Sequence, residues 1–82
     1  MSNPRITIYT SNTCSYCHMI KKFLNKKSIQ FREINISKHP EKQQEAFNLS
    51  GALTVPITVV ENETEKQVIV GFNLPQLIPA IS

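Results

Sequence analysis

Apolar and polar side chains alternate through Arg5-Ile6-Thr7-Ile8-Tyr9-Thr10, and the β-branched residues in that run predict a strand. Ser11, Asn12 and Thr13 interrupt it. From Ser15 to Lys27 the period changes: Cys17, Ile20, Phe23 and Leu24 share one face and the lysines lie opposite, the signature of an amphipathic helix. Gln30–Ile36 returns to a strand pattern, and with the helix between them the two strands form a βαβ unit, which makes them parallel. His39-Pro40-Glu41 reads as a helix start with Pro40 near the first helical position, and that helix should run to about Ser50 and end at Gly51. Its apolar residues, Ala46, Phe47 and Leu49, come late, so weak anchoring is expected. Ile57–Val60 is a third strand, Glu61–Thr64 a turn, and Lys66–Val70 a fourth strand that folds back as an antiparallel hairpin. After Gly71 a last helix is expected with Asn73 as its cap. Pro79 would break a long version, so this helix should be brief or kinked.

The order β-α-β-α-β-β-α predicts an α/β domain, a four-stranded mixed sheet with helices on both faces. The 82 residues suffice for one domain spanning 1–82, with no repeat, linker or low-complexity tract. An apolar fraction of 40% supports a folded chain. The net charge of +3 owes much to Lys21, Lys22, Lys26 and Lys27, which read as the solvated face of the first helix. No aromatic residues interleave with them, which argues against a nucleic-acid role; attraction for anionic substrates follows more naturally. MSNPRITIYT has neither a long apolar segment nor a small-residue cleavage site, so neither a signal peptide nor a membrane span is expected and the protein is placed in the cytoplasm. Lasting structural disulfides are rare there, and a bridge across two residues removes little loop entropy. Cys14 and Cys17 therefore read as reactive.

Cys14-Ser15-Tyr16-Cys17-His18 has the form that tethers haem in c-type cytochromes. Haem needs a second axial ligand and a porphyrin pocket; Met19 adjoins His18 and cannot reach the opposite face of the same iron, and Met1 and His39 have no supporting context. Structural zinc usually takes four side-chain ligands, and the chain has two Cys and two His in all. No metal is therefore expected, and both histidines read as helix-surface residues. A dithiol explains more. Cys14 lies where a strand gives way to a helix, among backbone N–H groups that have no intrahelical partner, and the positive end of the helix dipole favours thiolate there. Cys17 follows about one turn later on the same face, placed to resolve a mixed disulfide held on Cys14. Cys14 is thus the exposed nucleophile and Cys17 the more buried resolving thiol. Thr54-Val55-Pro56 stands immediately before the third strand, where a proline is tolerated. Only about 5–6% of X–Pro bonds are cis in folded proteins, and local sequence leaves two readings: a plain strand-start proline, or a cis turn that frees the Val55 backbone for a substrate peptide added as a short strand.

With YTSNTCSYC, TVP and VGF in this order, the chain resembles the glutaredoxins of the thioredoxin superfamily from Ile6 to about Leu77. The resemblance implies a thioredoxin-like fold, reduction of protein disulfides and glutathione mixed disulfides, no bound cofactor, and a cis Pro56. It makes Cys14 and Cys17 the catalytic pair and Tyr16 the tyrosine lining the thiol groove. Thr54, Val55 and Pro56 match the segment that holds the cysteinyl part of glutathione. Gly71 matches the turn into the last helix, whose N-terminus receives the γ-glutamyl end, where free N–H groups suit an anion. Thr13, Phe72 and Asn73 complete the expected substrate surface. Three departures stand out. Ser15 replaces the usual proline between the cysteines; Ser11 stands where many members have a basic residue for the glycyl carboxylate; and Gly71-Phe72-Asn73 lacks the usual second glycine and acidic group. GFN followed by Leu74-Pro75 is closer to the glutaredoxin-like redoxins that serve ribonucleotide reductase and are reduced by thioredoxin reductase with NADPH. The weight of the family favours glutathione as reductant, with that reductase as the alternative. The expected partners are the electron donor and disulfide-containing proteins, with no nucleic acid and no membrane, for a protein expected to be monomeric. A haem electron carrier and a non-catalytic thioredoxin-fold binding module are the rivals from other classes.

Overall fold

The computed structural model describes residues 5–51 and 54–81; Met1, weighed above as a haem ligand, and Ser82 lie outside them. The elements run β1 (Arg5–Thr10), α1 (Ser15–Lys26), β2 (Arg32–Asn35), α2 (Lys42–Ser50), β3 (Ile57–Glu61), β4 (Lys66–Val70) and α3 (Leu74–Ile81), the order expected. The sheet order is β2-β1-β3-β4. β1 pairs with β2 in parallel, Ile8 opposite Glu33, and with β3 antiparallel, Tyr9 opposite Ile57; β4 closes the hairpin with Val70 opposite Ile57.

Alternation along the central strands divides the core in two. Ile6, Ile8, Val60 and Ile69 point to one face, where they meet Ile20 and Leu24 of α1 and Leu77 of α3. Tyr9, Ile57 and Val59 point to the other, where they meet Ala46 of α2. β3 therefore reads as a nearly continuous apolar run, and β1 buries Tyr9 and Thr10 as well as its isoleucines, because both strands are covered on both sides. Burying an aliphatic side chain is worth about 1.5–3 kcal/mol, so the inward stripe of α1 (Cys17, Ile20 and Leu24, all buried) seats that helix firmly. Phe23, expected inward, is partly buried against the same cluster.

Boundaries differ most where side chains are solvated. β2 is two residues shorter than expected at its N-terminal end and stops one residue earlier, at Asn35, because it is an edge strand held by β1 alone. α2 starts at Lys42 rather than at Pro40: the amides of Lys42 and Gln43 first close a turn on the carbonyls of His39 and Pro40. Its Glu41 cap makes no side-chain hydrogen bond, and Ala46 is its only buried residue among those described. Gly51 ends it in the left-handed region, φ 72°, with its N–H bonded to the Phe47 carbonyl. α3 is brief, as expected, yet it runs two residues past Pro79. Asn73 caps it, its side-chain oxygen accepting the Gln76 N–H at 3.3 Å, and Pro75 falls in the first turn, where a missing N–H leaves no gap.

Candidate functional site

The register gathers three segments at one end of the sheet. The loop 11–14 leaves the C-terminal end of β1, Thr54-Val55-Pro56 enters β3 beside it, and Gly71-Phe72-Asn73 leaves β4 on the next strand. The Gly71 N–H bonds to the Pro56 carbonyl at 2.8 Å, tying two of them together just beyond the ladder. Gly71 has φ 81°, a conformation in which side chains are strained, so the turn suits glycine.

Cys14 is the N-cap of α1. Its backbone is extended, φ −97° and ψ 106°, and its Sγ accepts the Cys17 N–H at 3.1 Å. The sulfur thus occupies the place a Ser or Asp oxygen takes at most helix starts. Cys14 and Cys17 are joined as a disulfide with their Cα atoms 5.3 Å apart. Cys17 is 1% exposed and Cys14 9%. The order of exposure is the one expected, but Cys14 is far more enclosed than a freely exposed nucleophile: capping turns its sulfur back towards the helix it starts.

A polar frame holds the loop in place. Asn12 receives a hydrogen bond on its side-chain oxygen from Asn35 Nδ2 at 3.0 Å and donates its own N–H to Ser37 Oγ at 3.1 Å. Asn35 Oδ1 in turn accepts the N–H groups of Ser37 and Lys38. Beneath the loop, Glu33 accepts from Thr10 Oγ1 at 2.7 Å and from Lys21 Nζ at 2.9 Å. These two bonds, Lys21 first and then Thr10, outweigh partial burial and hold the Glu33 carboxyl below its ordinary range. Sequence reasoning missed this frame. Asn35-Ile36-Ser37 after a strand was the available signal, since Asn side chains commonly bond the backbone two residues on.

Tyr16 stacks on Phe72, ring centroids 6.1 Å apart and planes 15° from parallel, so the helix that carries the cysteines meets the turn into α3. Tyr16 is 58% exposed and Met19, three residues on, 47%; Met19 was not among the expected surface residues. Thr13 and Thr54 are exposed, Val55 is half-buried and Pro56 buried. The Val55–Pro56 bond is cis, as the family resemblance implies. Among the described residues, no backbone hydrogen bond occupies Val55. Ser11 is half-buried, and its carbonyl accepts the Cys14 N–H at 3.4 Å. His18 is exposed on α1, and His39 lies 3.6 Å from Glu41 near α2. Among the described residues no three His, Cys, Asp or Glu side chains converge as a metal site, and no helix is long and apolar enough to cross a membrane.

A helix-start disulfide at the end of a four-stranded mixed sheet, beside a cis proline, defines the thioredoxin-like class. The family model described as Glutaredoxin matches residues 6–64, and the chain belongs to the glutaredoxin family. It is 41% identical over 51 residues to Glutaredoxin 3 of Escherichia coli K12, an alignment covering 62% of this chain and 61% of that protein, so the match spans about three fifths of the relative's length. It is 31% identical over 72 residues to a glutaredoxin-like 8.6 kDa protein encoded in a rubredoxin operon of Clostridium pasteurianum, covering 88% of this chain and 91% of that one. The solved structure of the glutaredoxin-like NrdH-redoxin of Escherichia coli, described there as having a thioredoxin-like activity profile, superposes with a TM-score of 0.74 at 31% identity over 95% of each chain.

Proposed function

We propose that this protein is a cytoplasmic, single-domain dithiol–disulfide oxidoreductase. The observation that carries the reading is Cys14 Sγ at the helix N-cap, holding the Cys17 N–H at 3.1 Å with Cys17 itself in bonding reach. In the reduced protein that N–H and the helix dipole stabilise a thiolate on Cys14. The thiolate attacks one sulfur of a partner disulfide and expels the other as a thiolate, which takes up a proton. Cys17 then loses its proton and attacks Cys14 Sγ, releasing the second partner thiol and leaving the Cys14–Cys17 disulfide. Two electrons pass from the protein to its partner. Thr13, Tyr16, Thr54, Val55, Pro56, Gly71, Phe72 and Asn73 are proposed to line the bound substrate, with the backbone of Val55, which makes no backbone hydrogen bond among the described residues, pairing to an extended segment. Cys14→Ser should abolish all turnover. Cys17→Ser should retain reduction of small glutathione mixed disulfides and lose reduction of protein disulfides; equal loss of both activities in the two variants would refute the roles assigned.

A second reading concerns the electron donor. The weight of the family favours glutathione, but three features favour a flavoprotein reductase of the thioredoxin reductase type. Ser11 offers no charge to a glycyl carboxylate, and Asn73 is neutral and already caps α3. The Phe72 ring lies against Tyr16 at the mouth of the helix N-terminus. Similarity to the NrdH-redoxin over nearly all of both chains points the same way, and with it a role as donor to ribonucleotide reductase. Oxidised protein offered glutathione in one cuvette and NADPH with thioredoxin reductase in another separates the two donors.

A further inference from the structure

The six carboxylates of the chain are unevenly placed. Glu41 and Glu45 belong to α2 and its start, across the sheet from α1. Glu61, Glu63 and Glu65 sit in the β3–β4 hairpin, at the end of the sheet away from the disulfide. Only Glu33 reaches α1, where Lys21 holds it. The solvent face of α1 is consequently cationic: Lys22, Lys26 and, just beyond the helix, Lys27 are exposed, the helix has no carboxylate of its own, and no described carboxylate pairs with these three. Met19, Lys22 and Lys26 follow at intervals of three and four, so they form one row that starts at the disulfide. Its first members are apolar, Tyr16 and Met19, both about half exposed. At a rise of 1.5 Å per residue, Lys22 lies about 12 Å and Lys26 about 18 Å along the axis from Cys14. An extended peptide advances about 3.3 Å per residue, so it covers that span in about four to six residues.

We propose that this face of α1 docks the acidic flank of a protein disulfide substrate. The substrate's reacting cysteine meets Cys14, its next residues rest on Tyr16 and Met19, and Asp or Glu side chains four to six residues from that cysteine face Lys22 and Lys26. The inference rests on the disulfide exchange proposed above and adds a substrate class to it. A nucleic acid fits the same face less well, because base stacking wants aromatic groups between the cations, whereas on α1 the exposed aromatic, Tyr16, stands at the sulfur end of the row and Phe23 is partly buried in the core.

The test is a single turnover of pre-reduced protein, in which one protein dithiol and one peptide disulfide become one protein disulfide and two peptide thiols, with no outside reductant. The probes are symmetric peptide disulfides with Glu at positions four to six from the cysteine, the same peptides with Gln there, and peptides with Glu only at positions one and two. At low salt the first should react about tenfold faster than the second, within the range electrostatic steering produces, and the advantage should shrink to under about threefold at high salt as screening shortens the reach of the lysines. Lys22→Glu/Lys26→Glu should erase or reverse the preference, Lys22→Gln/Lys26→Gln should erase it, and neither should change the rate with the uncharged bis(2-hydroxyethyl) disulfide. Equal rates for the Glu and Gln peptides, a preference that survives both variants, or a larger gain from Glu at positions one and two would overturn the proposal. So would salt-sensitive DNA binding lost in the variants without any peptide preference. Failure to reduce even the uncharged disulfide would instead sink the oxidoreductase reading itself.

Discussion

Tyr9→Phe should loosen α2 without touching the cysteines. α2 has no side-chain N-cap, little amphipathic character and one fully buried residue, Ala46. The Tyr9 hydroxyl, rooted in central strand β1, donates to Glu45 Oε2 at 2.7 Å and so ties the helix to the sheet beside the apolar contacts of Ala46 and Leu49. A hydrogen bond to a charged acceptor contributes about 1.5–3 kcal/mol. Glu45 is about half exposed and keeps Lys42 at 3.7 Å, so water and that ammonium recover part of the loss. The expected cost is at the lower end, about 1.5 kcal/mol, close to tenfold in the opening equilibrium of the helix. Native-state hydrogen exchange should show that loss of protection at the α2 amides, with the α1 amides unchanged. The same contact has a pH signature. Burial first, then the hydrogen bond and the charge of Glu45, push the Tyr9 hydroxyl up to about 12 from an ordinary 10, opposed only by Arg32. A raised folded value means the contribution is complete below pH 10 and is lost as pH rises towards 12. On the order of 2 kcal/mol should disappear over that window in the native protein, and Tyr9→Phe should flatten it. Unchanged α2 protection, or an identical alkaline decline in both proteins, would refute the reasoning.

Thr58 is fully buried between Ile8 and Ile69, and its hydroxyl has no partner among the described residues. Thr58→Val should therefore stabilise the fold by about 1 kcal/mol, seen as a higher urea midpoint with an unchanged slope; a loss of stability would mean that the hydroxyl is bonded. Leu77→Ala removes the buried anchor of α3 and should cost about 2–5 kcal/mol in the same assay. Because the Glu33 carboxyl is held below its ordinary value, its contribution is present above about pH 4.5 and fades as pH falls through the depressed folded value. Glu33→Gln should lose that acid-limb dependence, as thermal melts across the range would show. Phe72→Ala should raise glutathione-dependent turnover relative to reductase-dependent turnover if the stacked ring obstructs the tripeptide; an unaltered ratio would remove Phe72 from the donor argument.

The parts of the fold that were legible in the sequence are those with a strong burial pattern. β1, α1 and the β3–β4 hairpin landed within a residue of expectation because Ile6, Ile8, Ile20, Leu24, Ile57 and Ile69 are all buried, and burial fixes the segments that carry them. β2 and the start of α2 drifted because Arg32, Glu33, Glu41 and Gln43 are solvated, and solvated side chains do not say where a ladder or a helix begins. At the site, the spacing of Cys14 and Cys17 and the entry of Pro56 into β3 could be read along the chain. The Asn12–Asn35–Ser37 frame, the Glu33 node and the Tyr16–Phe72 stack could not, since each joins residues far apart in sequence whose types have many other uses.

The atom that opens α1 is the same atom assigned to chemistry, so deleting it by Cys14→Ala removes a scaffold contact along with a reactive group, at a cost near 1 kcal/mol. Serine is among the residues that open helices best. An inert Cys14→Ser protein should therefore stand as firmly as its parent, and whatever it ceases to do can be charged to sulfur alone.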